Sequence, residues 1–408
     1  MTLLDDAGTL RDEMTRLRRD LHREPEIGLT LPRTRDRVLA ALGGLPLEIT
    51  TGRSTTSVTA VLRGTVHDGT KGAAPAVLLR ADMDGLPVQE ATGLPFASRV
   101  DGAMHACGHD LHTAMLVGAA HLLADRRHRL AGDVVLMFQP GEEGWDGAAH
   151  MVREGVLDAS GRRVEAAYGL HVFSSLDPAG QFRTRPGPML AASDGLFVEV
   201  HGAGGHGSAP HLAQDPVVAV AEMVTALQTL VTRQVDVFDP AVITVGRLEA
   251  GTRRNVIPDT ASFDATVRTF SARTRELLVT AVPRLLEGIA HAHGVEVTVR
   301  FEAEYPVTVN DVDETAFAAT TITELLGERR GEEMTHPLTG SEDFSRVLDE
   351  VPGSFIGLGA TRRGADPATA PYNHSPRADF DDSVLPDGAA LLAELATRRL
   401  ETTPARSA

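Results

Sequence analysis

The sequence predicts an α/β fold, a largely parallel sheet flanked by helices, with a second, α+β unit of ferredoxin-like composition set into the chain. Three observations carry this reading: strand and helix signals alternate through residues 1–186, the texture changes near Gly187, and it returns after Asn310. The segments SVTAVL, AVLLRADMD, GDVVLMFQP and EAAYGLHV are short, apolar and β-branched or aromatic in part, with polar residues at their C-terminal ends. In open α/β sheets that end carries the site. Between the second and third strands, HTAMLVGAAHLLADRRHRL predicts a helix with small and apolar residues on one face and basic residues in its last turn. From Gly187, LFVEVHGAGGHGSAPH reads as an alternating strand and a glycine-rich turn, and DPVVAVAEMVTALQTLVTRQ as a helix with Pro216 near its start. AVITVGRLEAG and ASFDATVRTF predict two strands, TRELLVTAVPRLLEGIAHAHG a helix, and VEVTVRFEAEYP a closing strand. The expected division is therefore one discontinuous domain, residues 1–186 and 303–408, interrupted by residues 187–302. Helix and strand signals then run to PDGAALLAELATRRLE, and only TTPARSA at the end reads as frayed.

Bulk properties narrow the function classes. At 408 residues and 42% hydrophobic composition the chain can bury a full-sized core. A balance of 39 Lys+Arg against 56 Asp+Glu gives a formal net charge of −17, which opposes a polyanionic partner such as nucleic acid. No basic patch or aromatic stacking platform suggests one either. No apolar run approaches a membrane span, and the N-terminal stretch lacks the apolar core of a signal peptide. The single cysteine, Cys107, excludes an internal disulfide framework and fits a reducing cytoplasm.

The chemistry-bearing residues sit at the expected strand ends. In MHACGHDLH, Cys107 and His109 are two residues apart, so in an extended loop both reach the same side of the backbone. Thiolate and imidazole are good divalent-metal ligands. In QPGEEGWDGA, directly after a strand, Glu142 and Glu143 can converge on one site, one binding metal while the other takes a proton from water. His171 in YGLHV and His374 in YNHSPRADF add two imidazoles. Each signal has an ordinary explanation alone: a lone cysteine is commonly a small buried hydrophobe, a glutamate pair a solvated surface, a histidine a structural residue. Coincidence among all four is a much weaker explanation.

The ordered set RADMDGLP, MHACGHD, QPGEEG, GLHV, GGHGSAPH, NVIPD, GSEDF and NHSPRADFDD resembles the aminoacylase and carboxypeptidase-like metallopeptidases, in particular their amidohydrolase branch. That branch includes hippurate hydrolases, N-acetyldiaminopimelate deacetylases and hydrolases of indoleacetic acid-amino acid conjugates. The resemblance spans nearly the whole chain, from LHREPEIG to the C-terminal helix.

The resemblance implies a site for two divalent ions (Zn, Mn, Co or Ni), with Cys107 as shared thiolate, His109, Glu143, His171 and His374 completing the ligands, and Glu142 as general base. It implies that Asp84 orients a ligand, a role for which Asp110 competes. The inserted domain becomes a lid and dimerisation domain. His206 is implied as an oxyanion donor, from its own chain or across a homodimer interface, and Asn255 and Arg268 as groups holding the substrate's carbonyl or carboxylate. Against this, the glycines around His206 make a turn by themselves, and Arg268 could simply pair with a nearby acid. The chain departs from the family pattern at Asp264, where glycine is common, and at Trp145, where a small residue often follows the glutamates. The expected activity is hydrolysis of an N-acyl amino acid or a related small amide. A dipeptidase or carboxypeptidase on the same fold, and a non-catalytic sensor of amino-acid conjugates, are the alternatives.

Overall fold

The computed structural model describes residues 2–66 and 74–402, so the end of the segment expected to fray, 403–408, lies outside the described residues. The chain divides into two compact units: residues 1–189, 309–336 and 343–408 in one, residues 190–308 and 337–342 in the other.

The first unit is built on an eight-stranded sheet ordered Leu47–Thr51, Val58–Leu62, Asp133–Gln139, Ala76–Asp82, Ala166–Pro178, Gly353–Thr361, Phe182–Thr184 and Gly331–Glu333. The four central strands are mutually parallel, and the Leu47–Thr51 and Val58–Leu62 strands join antiparallel at one side. Every residue of Ala76–Asp82, Asp133–Gln139 and Gly353–Thr361 is buried, as expected of parallel strands covered on both faces. The helix expected at HTAMLVGAAHLLADRRHRL begins earlier, at His109, and ends at Asp125. Its basic residues fall in a separate 3-10 turn, Arg127–Arg129. The helix is buried on almost every face, because it packs on the sheet and against the Arg11–Arg23 and Leu385–Thr402 helices.

The second unit has a four-stranded antiparallel sheet ordered Ala241–Ala250, Thr260–Thr269, Ala192–His201 and Glu296–Tyr305, with helices Pro216–Gln234 and Ala272–His293. Pro216 stands in the first turn behind the Asp215 cap, whose carboxylate accepts from Val217 N. Apolar residues from both helices and all four strands form one core cluster around Phe263 and Leu227. The closing strand pairs with its neighbour as far as Tyr305 opposite Ser193, so a division at 302/303 cuts through it. Among the described residues no helix is long and apolar enough to cross a membrane.

Candidate metal centre

Cys107, Glu143 and His374 lie in loops that follow the parallel strands, His109 opens a helix and His171 lies within the Ala166–Pro178 strand, all within the first unit. Cys107 and His109 do not share an extended loop. Gly108 between them takes a left-handed φ of +87° and caps the helix that His109 begins. A Cβ there would meet Val172 Cγ2 at 2.3 Å, so only glycine makes this turn. Glu142 and Glu143 leave their strand in a loop held by one carboxylate: Asp84 accepts Glu142 N at 3.0 Å and Glu143 N at 3.1 Å. His374 has φ +70°, unusual for a non-glycine residue. Its backbone N–H donates to Ala106 O at 2.8 Å, and the Asn373 amide donates to Val172 O at 2.9 Å and Cys107 O at 3.2 Å. These bonds hold the strained residue beside the thiol.

The donor atoms converge. Cys107 Sγ lies 3.4 Å from His171 Nε2 and 3.3 Å from His374 Nε2, and His374 Nε2 lies 3.1 Å from Glu143 Oε1. Two donor triplets, Cys107–His109–His171 and Cys107–Glu143–His374, each span no more than 4.8 Å and share the thiol. His109 is fully buried, yet among the described residues neither ring nitrogen makes a well-formed hydrogen bond. An imidazole buried in that state is costly unless a cation completes it. Its Nδ1 faces Asp84 Oδ1 at 3.5 Å, and its Nε2 lies 3.9 Å from both Glu142 Oε2 and Glu143 Oε1. The donor set therefore fits two divalent ions.

Tautomers follow from fixed backbone partners. His171 Nδ1 lies 3.0 Å from the Val172 carbonyl, which can only accept, so the proton sits there and the Nε2 lone pair faces Cys107. His112 is the reverse: Val172 N–H donates to Nε2 at 2.8 Å, so the proton is on Nδ1 and goes to Asp82 Oδ1 at 2.6 Å. A third triplet, Asp82–His109–His112, thus has one imidazole already saturated. Hydrogen bonds to Cys107 and Glu143 raise the pKa of the His374 imidazole to about 10, and burial pushes that of His171 well below the usual histidine range. A cation entering the first of these positions displaces a proton.

Beneath the donors lies a buried charge cluster. Arg80 donates to Asp82 Oδ2 at 2.6 Å, Gln139 Oε1 at 2.9 Å and Asp343 Oδ1 at 3.0 Å. Asp343 also accepts from Gln139 Nε2 and from Ala148 N. Asp110, the rival to Asp84, faces elsewhere and pairs with Arg18 at 2.9 Å and His22 at 2.8 Å. Sequence reasoning missed His112, Arg80, Asp343 and Asn373. His112 could have been found from its spacing of three from His109 on one helix, which places both on one face. Asp343 lies in the quoted GSEDF motif, to which no role was attached.

The remaining candidates lie in the second unit. His206 and Asn255 are neighbours: Val256 stands opposite His206 in a two-residue pairing, and Gly207 N donates to Asn255 O at 2.9 Å. Arg268 stands opposite Ser193, whereas Thr260, nearest the His206 turn, stands opposite His201. At about 3.3 Å per residue, eight residues of strand separate the two ends by about 26 Å. Arg268 is half-buried and makes no ion pair among the described residues; its acidic neighbours Asp194 and Glu304 engage Arg275 and Ser193. Burial lowers its pKa. Of the two departures, Trp145 is exposed with its indole over Gly28, and Asp264 pairs with Arg247 at 3.0 Å.

Residues 78–398 match the sequence profile described as peptidase family M20/M25/M40. Thermostable carboxypeptidase 1 of Saccharolobus solfataricus is 37% identical over 400 residues, 97% of this chain and 98% of that protein. IAA-amino acid hydrolase ILR1-like 4 of Arabidopsis thaliana is 39% identical over 393 residues, 95% of this chain and 86% of that protein. A crystal structure of a Bacillus subtilis protein, described as a dinuclear metal binding peptidase from the M20 family, superposes with a TM-score of 0.82 at 32% identity, covering 97% of this chain and 99% of that one.

Two outcomes are expected. Arg80→Met leaves Asp82 and Asp343 without their buried counter-charge and should lower stability by about 3–5 kcal/mol in urea unfolding. Cys107 should be silent in thiol titration of metal-loaded protein and become reactive after chelation, because coordination deprotonates and shields the sulfur; equal reactivity in both states would make it a bystander.

Proposed function

The chain belongs to peptidase family M20/M25/M40, and from that membership we propose that it is an amidohydrolase that cleaves the amide bond of N-acyl amino acids or related small amides. The observation that carries this reading is the pair of donor triplets sharing Cys107, with Glu142 beside them and outside both. Cys107, His109 and His171 would hold one ion, and Cys107, Glu143 and His374 the other, with Asp84 orienting His109 and the glutamate loop. When bound, the ions supply polarisation of the scissile carbonyl and a lowered pKa for the attacking water. Glu142 accepts the proton of that water and delivers it to the departing nitrogen. A binding protein or sensor would need no such base.

The inserted unit acts as lid and dimerisation domain. His206 donates to the developing oxyanion, Asn255 steadies the carbonyl group, and Arg268, whose Nη1 has no hydrogen-bond partner among the described residues, receives the substrate carboxylate. His206 and Arg268 stand at opposite ends of one unit, too far apart for a small substrate to touch both. That separation supports a homodimer in which His206 comes from the other subunit. The compartment that suits a single reduced thiol is the cytoplasm.

The likeness to a thermostable carboxypeptidase keeps peptide substrates in view. Protein reloaded separately with Zn, Mn, Co and Ni should hydrolyse some N-acetyl, N-benzoyl or indoleacetyl amino acids faster than unblocked dipeptides; the reverse order would favour the peptidase reading. Glu142→Gln should keep metal and fold while losing at least about a hundredfold in turnover. Mixing His206→Ala with Glu142→Gln protein, each strongly reduced in turnover, should raise activity once hybrid dimers have formed, since one site then holds both wild-type groups. Inactive hybrids would rule out donation between subunits.

A further inference from the structure

We propose that Ser208 is a positioning residue for the reaction, fixing His206 in the tautomer that carries its proton on Nε2. This rests on the reading of His206 as the oxyanion donor and adds how the donor is kept a donor. A neutral imidazole has one N–H and one lone pair, so only one of its two nitrogens can serve an oxyanion at a time. An exposed histidine, as His206 is, exchanges between both forms unless a neighbour selects one.

Two groups of Ser208 make that selection. Its backbone N–H lies 3.2 Å from His206 Nδ1, and its Oγ lies 2.8 Å from the same atom. A backbone N–H can only donate, so Nδ1 must offer its lone pair, and the hydroxyl at the same nitrogen then donates as well. The ring proton is left on Nε2, which has no hydrogen-bond partner among the described residues. The selection is possible because the turn is held. His206 pairs across to Val256, Gly207 N donates to Asn255 O at 2.9 Å, and Ala209 N donates to His206 O at 2.8 Å. Gly207 is needed for this, since a Cβ there would lie 3.1 Å from Asn255 Cα. The spacing His206-Gly207-Ser208 therefore delivers both Ser208 donors to the ring.

Removing the hydroxyl weakens the selection without removing it, because the backbone N–H stays. Ser208→Ala is expected to lower kcat roughly five-fold, the worth of about one ordinary hydrogen bond, with KM unchanged, and Ser208→Thr should restore it. The probe is N-acetyl-L-cysteine hydrolysis by zinc-loaded protein. In the same diamagnetic protein, nitrogen-15 spectra of the His206 ring should show the Nε2–H form in the wild type and a growing Nδ1–H share in Ser208→Ala. In a His206→Ala background, Ser208→Ala should have no further effect, whereas a merely structural serine would lower that activity again. Unchanged kcat and tautomer in Ser208→Ala, or additive losses in the double variant, would overturn the proposal while leaving His206 as donor. Full activity of His206→Ala would overturn the donor reading, and the role of Ser208 with it.

Discussion

Asp84 is the carboxylate on which the geometry of the centre hangs. Its two oxygens accept the backbone N–H groups of Glu142 and Glu143, and one of them faces His109 Nδ1 at 3.5 Å. Strands Ala76–Asp82 and Asp133–Gln139 lie side by side, with Asp82 opposite Gln139. The loops that follow them are thus neighbours, and a single side chain can tie the glutamate loop to the first turn of the His109–Asp125 helix. A loop bearing adjacent glutamates repels itself and would splay toward water. Backbone bonds to a carboxylate do not depend on the glutamate side chains, so Glu142 and Glu143 are placed without using their own oxygens to hold the loop.

A second layer handles the charge this creates. Asp82 and Asp343 are both buried near the strand ends, and Arg80 lies between them. Burial favours the protonated form of a carboxyl, but the Arg80 charge and the His109 and His112 imidazoles hold Asp82 well below the usual range. Kept ionised, Asp82 fixes the His112 proton, and His112 in turn takes the Val172 N–H. That peptide's neighbour carbonyl sets His171. The chain of dependence runs from a buried arginine to the lone pair offered at the metal site through four hydrogen-bonded groups with no freedom to reverse.

Much of this arrangement was legible in the residues, and the limits are instructive. The strands were readable because parallel strands buried on both faces must be short apolar runs, and SVTAVL, AVLLRADMD, GDVVLMFQP and EAAYGLHV are such runs. The candidate donors were readable because their residue types are unusual at strand ends. The turn at Gly108 was misjudged as extended: a glycine between two polar residues signals many conformations, and only the close approach of Val172 selects the left-handed one. Asp84 and Asp110 could not be separated by spacing. What divides them is Arg18 and His22, close to a hundred residues away in sequence, which claim Asp110 and leave Asp84 to the site. The closing strand VEVTVRFEAEYP was read through Tyr305, where the strand ends, yet its exposed and half-buried pattern gives period and burial little hold on a domain boundary there.

The three histidines with settled tautomers show one rule applied to opposite needs. A ligand must present a lone pair, and an oxyanion donor must present a proton. His171 meets a carbonyl at Nδ1 and so offers a lone pair at Nε2. His206 meets an N–H and a hydroxyl at Nδ1 and so carries a proton at Nε2. The same ring atom is thereby given opposite polarity in the two units by the identity of one neighbour. Backbone groups make this choice robust, since a carbonyl never donates and an amide N–H never accepts. In the proposed roles the division also suits their surroundings: His171 is fixed inside a buried sheet where a proton on Nε2 would oppose a bound cation, and His206 sits on an exposed turn whose own bonds would have to prepare it.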